Sequence, residues 1–381
     1  GTLIPPHSRF YADASDDVVR KVSKIIHDSK FPLILVGAGA NRKHVRQSIT
    51  DLIHKIKIPF FTTQMGKGVV DERSDLFLGT AALSDDDYLH KYIHHADLII
   101  NIGHDVVEKP PFFMEDGGQT VIHINYKAAN VDQVYFPQVE VVGDLELSLN
   151  KITKELFGKT SFDLKIFQQV KSEVNKKINY GSDSSSFPIN PQRLVRDVRS
   201  VMGDRDIIAL DNGVYKIWFA RNYYAYEPNT ILLDNALATM GAGLPSAMMA
   251  SLYHPEERVM AICGDGGFMM NSQEIETAVR LNLNLVVLIL NDGSYGMIRW
   301  KQASANMKDW GLEFENPDFV SYAESYGAFG HKILDAKSLV KTIDSSFKKG
   351  GVHIIDVPVD YSMNKKLLID DLKINHNSVI K

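Results

Sequence analysis

Short apolar runs alternating with amphipathic segments leave a chain few folds to choose from, and this sequence shows the alternation twice. In the first half "FPLILVGAG", "IPFFTT", "DLIINIG", "TVIHINY" and "VEVVGD" read as strands, while "DDVVRKVSKIIHDS", "KHVRQSITDLIHKI" and "DDDYLHKYIHHA" carry apolar residues at helical spacing. In the second half the strands are "DIIALD", "NTILLD", "RVMAIC", "LNLVVLIL" and "VHIIDVPV". Between them lie the helical "YKIWFARNYY", "GLPSAMMASLY", "SQEIETAVRL" and "PDFVSYAESY". Strands separated by helices imply a parallel sheet covered on both faces. The expected fold is α/β, with two doubly wound parallel-sheet domains at about residues 12–158 and 190–361. A helix and a Gly/Ser/Asp-rich linker fill 159–189, Asn190 and Pro191 then form the N-cap and first-turn pair of the helix "PQRLVRDVRSVM", and a polar tail with a helical turn near Leu367 occupies 362–381.

The 381 residues suffice for two cores, and a net charge of −5 gives no electrostatic reason to expect nucleic acid or an anionic membrane as partner. The one cysteine, Cys263, excludes an internal disulfide and reads as a small core residue. Without a long apolar run or a signal peptide, the expected location is cytoplasmic. The opening "GTLIPPHSRF" has no methionine and reads as the start of a fragment.

Two strand ends carry glycine signals. In "LILVGAGANRKH", Gly37 and Gly39 give G-x-G, but Arg42 stands where a dinucleotide fingerprint needs its third glycine, so tight packing at a turn is favoured over nicotinamide binding. The second signal, Gly264-Asp265-Gly266-Gly267, has a partner: counting 27 positions from Asp265 reaches Asp292, at the end of the next strand. Strand, helix and strand bring consecutive C-terminal ends side by side in a parallel sheet, so the two carboxylates converge on one crevice. Unpaired they would repel each other, and a divalent cation, best Mg2+ with its preference for oxygen ligands and phosphate, relieves that repulsion. The glycines let backbone N–H groups approach a phosphate. By contrast His94 and His95 read as solvated helix positions, "SDDDY" at 84–88 as a helix N-terminus, and Tyr223, Tyr224 and Tyr226 as interface candidates.

The stretch "GDGGFMMNSQEIETAVRLNLNLVVLILNDGSYGM" resembles the diphosphate-binding signature of thiamine diphosphate enzymes, and the resemblance is closest to acetolactate synthases. It extends through "DNGVYKIWFARNYYAYEPNTILLDNALATMGAGLPSAMMA" to "VPVDY". It implies thiamine diphosphate and Mg2+ as cofactors, with Asp265 and Asp292 as metal ligands, joined by the backbone carbonyl of Ser294. It also implies that Gly264, Gly266 and Gly267, with Asn212, Gly213, Val214 and Tyr215, meet the diphosphate. Met240 then props the bent cofactor, and Tyr295, Gly296 and Met297 line its thiazolium side; plain core packing is the other reading of Met240. "HDVVEKPP" and "GTAALS" stand where the biosynthetic synthases bind flavin, so FAD is not expected, as in the catabolic type. Lys301 falls by ungapped count at the tryptophan that sets acceptor preference in the biosynthetic enzymes, with Trp300 one position early. The implied reaction decarboxylates pyruvate and condenses the product with a second pyruvate to 2-acetolactate.

In this family a glutamate from the N-terminal pyrimidine-binding domain of a neighbouring subunit completes the site, in a homodimer or homotetramer. No such domain or glutamate is recognised here, so the chain taken alone is expected to be catalytically incompetent, with an apolar surface where that domain sits. Two other readings stand beside this one: a thiamine diphosphate-dependent decarboxylase or carboligase acting on another 2-keto acid or an acyl-CoA thioester, and a non-catalytic nucleotide-binding module using "VGAGANRK".

Overall fold

A computed structural model describes residues 11–82, 87, 89, 93, 95–104, 108, 114–131, 133, 135–156, 162, 164–235 and 237–372. They form two six-stranded sheets whose paired strands are all parallel. The first runs β3-β2-β1-β4-β5-β6, from β1 (Pro32–Val36), β2 (Phe60–Thr63), β3 (Phe77–Ala81), β4 (Leu98–Ile102), β5 (Thr120–Asn125) and β6 (Val139–Val142). The second runs β11-β12-β10-β9-β7-β8, from β7 (Ile207–Leu210), β8 (Ile231–Leu232), β9 (Val259–Gly264), β10 (Leu285–Asn291), β11 (Phe329–Lys332) and β12 (Val352–Pro358). The central strands are almost wholly apolar because both faces are covered: every residue of β1 and β4 is buried, Asn101 being the one polar side chain among them.

The helices start where side chains satisfy their free amides. Ser15 accepts from the Val18 amide, Asp144 from Leu147, and Asn190 from Arg193 with Pro191 in the first turn. Helices Leu145–Glu155 and Ser338–Lys349 and strands β3 and β11 were not recognised in the sequence. "NTILLD" supplies only the two-residue edge strand β8. The segment after the G-D-G turn also differs from expectation: a helix begins at Asp265 itself, runs to Asn271 and yields to a second helix, Glu274–Arg280. The described part of the tail holds a π-helical turn at Lys366–Asp370. Its Leu368 packs in the second domain's core and its Leu372 in the first's. The expected helix start at 84–88 and His94 lie outside the described residues, while His95 is exposed.

The two sheets meet along a seam. Glu72 and Ala225 exchange backbone and side-chain bonds, Ala225 N donating to Glu72 Oε2 at 2.8 Å and Glu72 N to Ala225 O at 3.2 Å. Arg46 pairs with Glu227. The tyrosines singled out above serve this seam inside the chain: Tyr223 is fully buried, the Tyr224 ring meets Phe77 edge-on at 5.8 Å, and the Tyr226 ring lies under Arg73 and Arg199.

Candidate functional site

Strands β7, β9, β10 and β12 are neighbours, so the loops leaving their C-terminal ends share one rim. There they line a shallow cleft that opens to solvent. All fourteen residues singled out by the sequence line it. Asn212, Gly213, Val214 and Tyr215 come from the turn after β7, Met240 from the loop before helix Gly243–Tyr253, and Gly264, Asp265, Gly266 and Gly267 from the end of β9. Asp292, Ser294, Tyr295, Gly296 and Met297 follow β10.

Asp265, 1% exposed, is clamped by amides. Its Oδ1 accepts from Gly266 N at 2.8 Å, and its Oδ2 from Gly293 N at 2.7 Å, Asp292 N at 3.2 Å and Asn316 Nδ2 at 2.8 Å. The carboxylate that opens one strand's turn thereby holds the next strand's turn in place. Asp292 faces this charge from a half-buried position, and its carboxyl is pushed up to about 7, first by burial and then by the Asp265 carboxylate, against the pull of Arg299. Two hydroxyls in the same wall, Ser294 Oγ and Tyr361 Oη, are buried without a hydrogen-bond partner. A carboxylate driven toward neutrality by burial and by a second carboxylate, beside orphaned oxygens, is a donor set that fits a hard divalent cation. The described residues hold no cluster of three or more His, Cys, Asp or Glu, so such a cation would take its remaining ligands from backbone, water or a bound phosphate.

The glycines are required by space. A Cβ on Gly267 would sit 2.2 Å from Asp211 Oδ2, one on Gly266 2.8 Å from the Tyr295 ring, and one on Gly213 2.3 Å from the Tyr215 ring. Their bare backbone leaves the start of helix Asp265–Asn271 open to a close-approaching anion. Tyr215 Oη accepts from Gly264 N at 3.0 Å and fixes the turn from behind. Cys263 is buried, and burial pushes its thiol well up, in keeping with a core residue.

Sequence reasoning missed three residues. Asp211, fully buried, accepts from Asn212 N at 2.8 Å, Gly241 N at 2.9 Å and Ala242 N at 3.1 Å, tying the Met240 loop to the end of β7. Asn316 braces Asp265 from the segment before helix Phe319–Ser325. Tyr361 follows β12 within "VPVDY", a stretch noted for its resemblance but not for this ring. On helix Gly296–Ser304, Met297 and Ile298 face the cleft, Trp300 packs partly buried against the core, and Lys301 is exposed.

The sequence matches the thiamine pyrophosphate enzyme central domain over residues 19–152 and the C-terminal TPP binding domain of the same enzymes over 211–357. It is 31% identical over 373 residues to an acetolactate synthase of Bacillus subtilis, covering 97% of this chain and 65% of that protein. A catabolic acetolactate synthase of Raoultella terrigena is 30% identical over 363 residues, covering 93% and 64%. An acetolactate synthase large subunit of Cyanidium caldarium is 28% identical over 355 residues, covering 91% and 60%. The chain thus spans less than two thirds of the length of these curated relatives. With both domains matched, and with the cleft at the sheet rim of the second, the chain belongs to the thiamine pyrophosphate enzyme family and holds its central and C-terminal domains.

Proposed function

We propose that the protein is an acetolactate synthase of the flavin-independent, catabolic type, acting on pyruvate with thiamine diphosphate and Mg2+. The observation that carries the reading is the Asp265 and Asp292 pair, facing each other across a glycine-walled cleft in a chain about 30% identical to acetolactate synthases. Thiamine diphosphate supplies the carbanion-stabilising centre when bound, and the protein binds and orients it. Asp265, Asp292 and the Ser294 carbonyl hold the metal. The backbone at Gly266 and Gly267 and the turn Asn212–Tyr215 border the diphosphate, Met240 props the cofactor, and Tyr295, Gly296 and Met297 border its thiazolium end.

The absence of flavin is supported from within the first domain. The turn after β1 is occupied by the chain itself: Ala38 N donates to Glu108 Oε2 at 2.8 Å, Thr63 Oγ1 bonds the same carboxylate, and Gly39 N donates to Gly103 O at 2.8 Å. A neighbouring subunit's pyrimidine-binding domain, in a homodimer or homotetramer, is the partner this reading requires. Leu237 at 83% and Trp310 at 85% exposure, with Met249 and Met270, supply apolar surface of the kind it would cover. No described helix is long and apolar enough to cross a membrane.

The test is acetolactate formation from pyruvate by the complete gene product with thiamine diphosphate and Mg2+ and without flavin. Product is the expected result. Tight cofactor binding without acetolactate would instead favour a decarboxylase or carboligase acting on another 2-keto acid or an acyl-CoA thioester. Metal binding carries its own pH signature. Because Asp292 must lose a proton to ligate and holds it up to about 7, apparent Mg2+ affinity should fall about tenfold per pH unit below 7, which calorimetry at several pH values reads directly.

A further inference from the structure

We propose, resting on the thiamine diphosphate reading, that Lys216 is a positioning residue for the cofactor, its ammonium bridging two segments of the cleft wall and lending them positive charge. Lys216 sits at the second position of helix Tyr215–Asn222 and is only 7% exposed. Its Nζ donates to Asn212 Oδ1 at 3.0 Å and to the carbonyl of Asp234. Asn212 in turn donates through Nδ2 to Thr239 O at 2.7 Å. One buried lysine thereby ties both ends of the segment 234–239 to the start of the helix. That segment leads directly into Met240 in the cleft wall, and its Leu237 is otherwise left to solvent. Asp211 holds the far side of the same loop through Gly241 and Ala242, so Lys216 secures the stem that Asp211 does not reach.

The charge is the second part of the inference. Both acceptors of Lys216 are neutral oxygens, and the carboxylates that act on it through space are Asp234 and Asp211, the latter already surrounded by amides. Burial pulls its amine down to about 8. Among the described residues, the side chains lining the cleft include two acids and no lysine or arginine. Beside the Mg2+ that the cleft's acids would hold and Arg299, which acts on Asp292, a diphosphate next to Asn212 finds a further positive charge one residue behind the wall, and its arrival favours the charged ammonium. By linkage, diphosphate affinity should fall as pH rises through and above 8, where the free protein's lysine gives up its proton.

The test is calorimetric titration of the full-length protein with thiamine diphosphate at saturating Mg2+ from pH 7 to 9.5, comparing wild type, Lys216→Met and Asn212→Ala. Expected are a roughly 10- to 100-fold weaker affinity for Lys216→Met at pH 7, the range found when outer supports of a binding site are removed, and a flat profile for this variant above pH 8 where wild type declines. Asp211, Asp234 and Tyr215 are common to both proteins, so the difference isolates the lysine. If Lys216→Met does not fold, Lys216→Arg, whose charge does not titrate in this range, must keep its affinity from pH 8 to 9.5, whereas Asn212→Ala, a residue of the diphosphate turn itself, must keep the pH decline. Equal affinities and parallel pH profiles in wild type and variants would overturn the inference. A wild type that gives no binding heat at all would overturn the cofactor reading instead.

Discussion

Asp265→Ala is expected to weaken Mg2+-dependent thiamine diphosphate binding by more than about 100-fold and to leave no measurable acetolactate. The carboxylate does two things at once: it offers charge to the metal, and its two oxygens collect four N–H donors from Gly266, Asp292, Gly293 and Asn316. The bonds already exist in the free protein, so their loss loosens the two turns that present the metal ligands, while the affinity falls chiefly because the metal loses a charged oxygen ligand. The fold itself should survive, because Gly266 and Asp292, two of the four donor residues, line an open cleft from which water can replace the carboxylate. Isothermal titration with and without Mg2+ checks the result. Affinity within tenfold of wild type would remove Asp265 from the metal site. Asp265→Asn separates the two contributions, since it keeps one acceptor oxygen but no charge, and it should lose metal dependence while retaining most of the stability.

The second large effect lies at the seam, far from the cleft. Lys67→Met is expected to cost about 3–5 kcal/mol of stability, the range for breaking a buried ion pair by removing one partner. Lys67 Nζ lies 2.9 Å and 3.2 Å from the Glu72 oxygens and 2.9 Å from Thr80 Oγ1, with both charged side chains almost wholly buried. Burial pulls the Lys67 amine down and pushes the Glu72 carboxyl up, and each partner's charge counters that for the other. Without Lys67, Glu72 stays sealed in the seam where it also accepts from Ala225 N. The double variant Lys67→Met, Glu72→Gln keeps an acceptor for that amide and removes the stranded charge, and should recover most of the loss. Urea unfolding measures both. A single variant that unfolds within 1 kcal/mol of wild type would show that water reaches the pair, contrary to its burial.

Much of the site was legible because its chemistry is local to strand ends. Glycines at 264, 266 and 267 around an acid, and a second acid one helix and one strand later, need only the regular geometry of a parallel β-α-β unit to converge. The cleft accordingly gathers the residues of those two turns, together with Asn212–Tyr215, Met240 and Ser294–Met297, which the family resemblance alone had pointed to. The missed elements are those whose local pattern is weak. β11 reads "FGHK" and is nowhere fully buried, and β3 reads "FLGTA", interrupted by Gly79 at a positive φ. Such edge strands are selected by a neighbour's open hydrogen bonds rather than by their own apolar run.

The sequence by itself determined the class of fold, the two sheets and the paired acids, because the alternation of strands with helices and the spacing of glycines and carboxylates are properties of short segments. Only the tertiary structure decided the company those acids keep. Asn316 reaches Asp265 across 51 positions, Asp211 reaches Gly241 across 30, and Lys67 with Glu72 reaches Ala225 across more than 150. No local pattern encodes such pairings. They follow from strand order, which sets β9 between β7 and β10 and brings the ends of distant segments to one rim. They follow too from burial, which gives a lone carboxylate or ammonium no stable place until the folded chain delivers its partner.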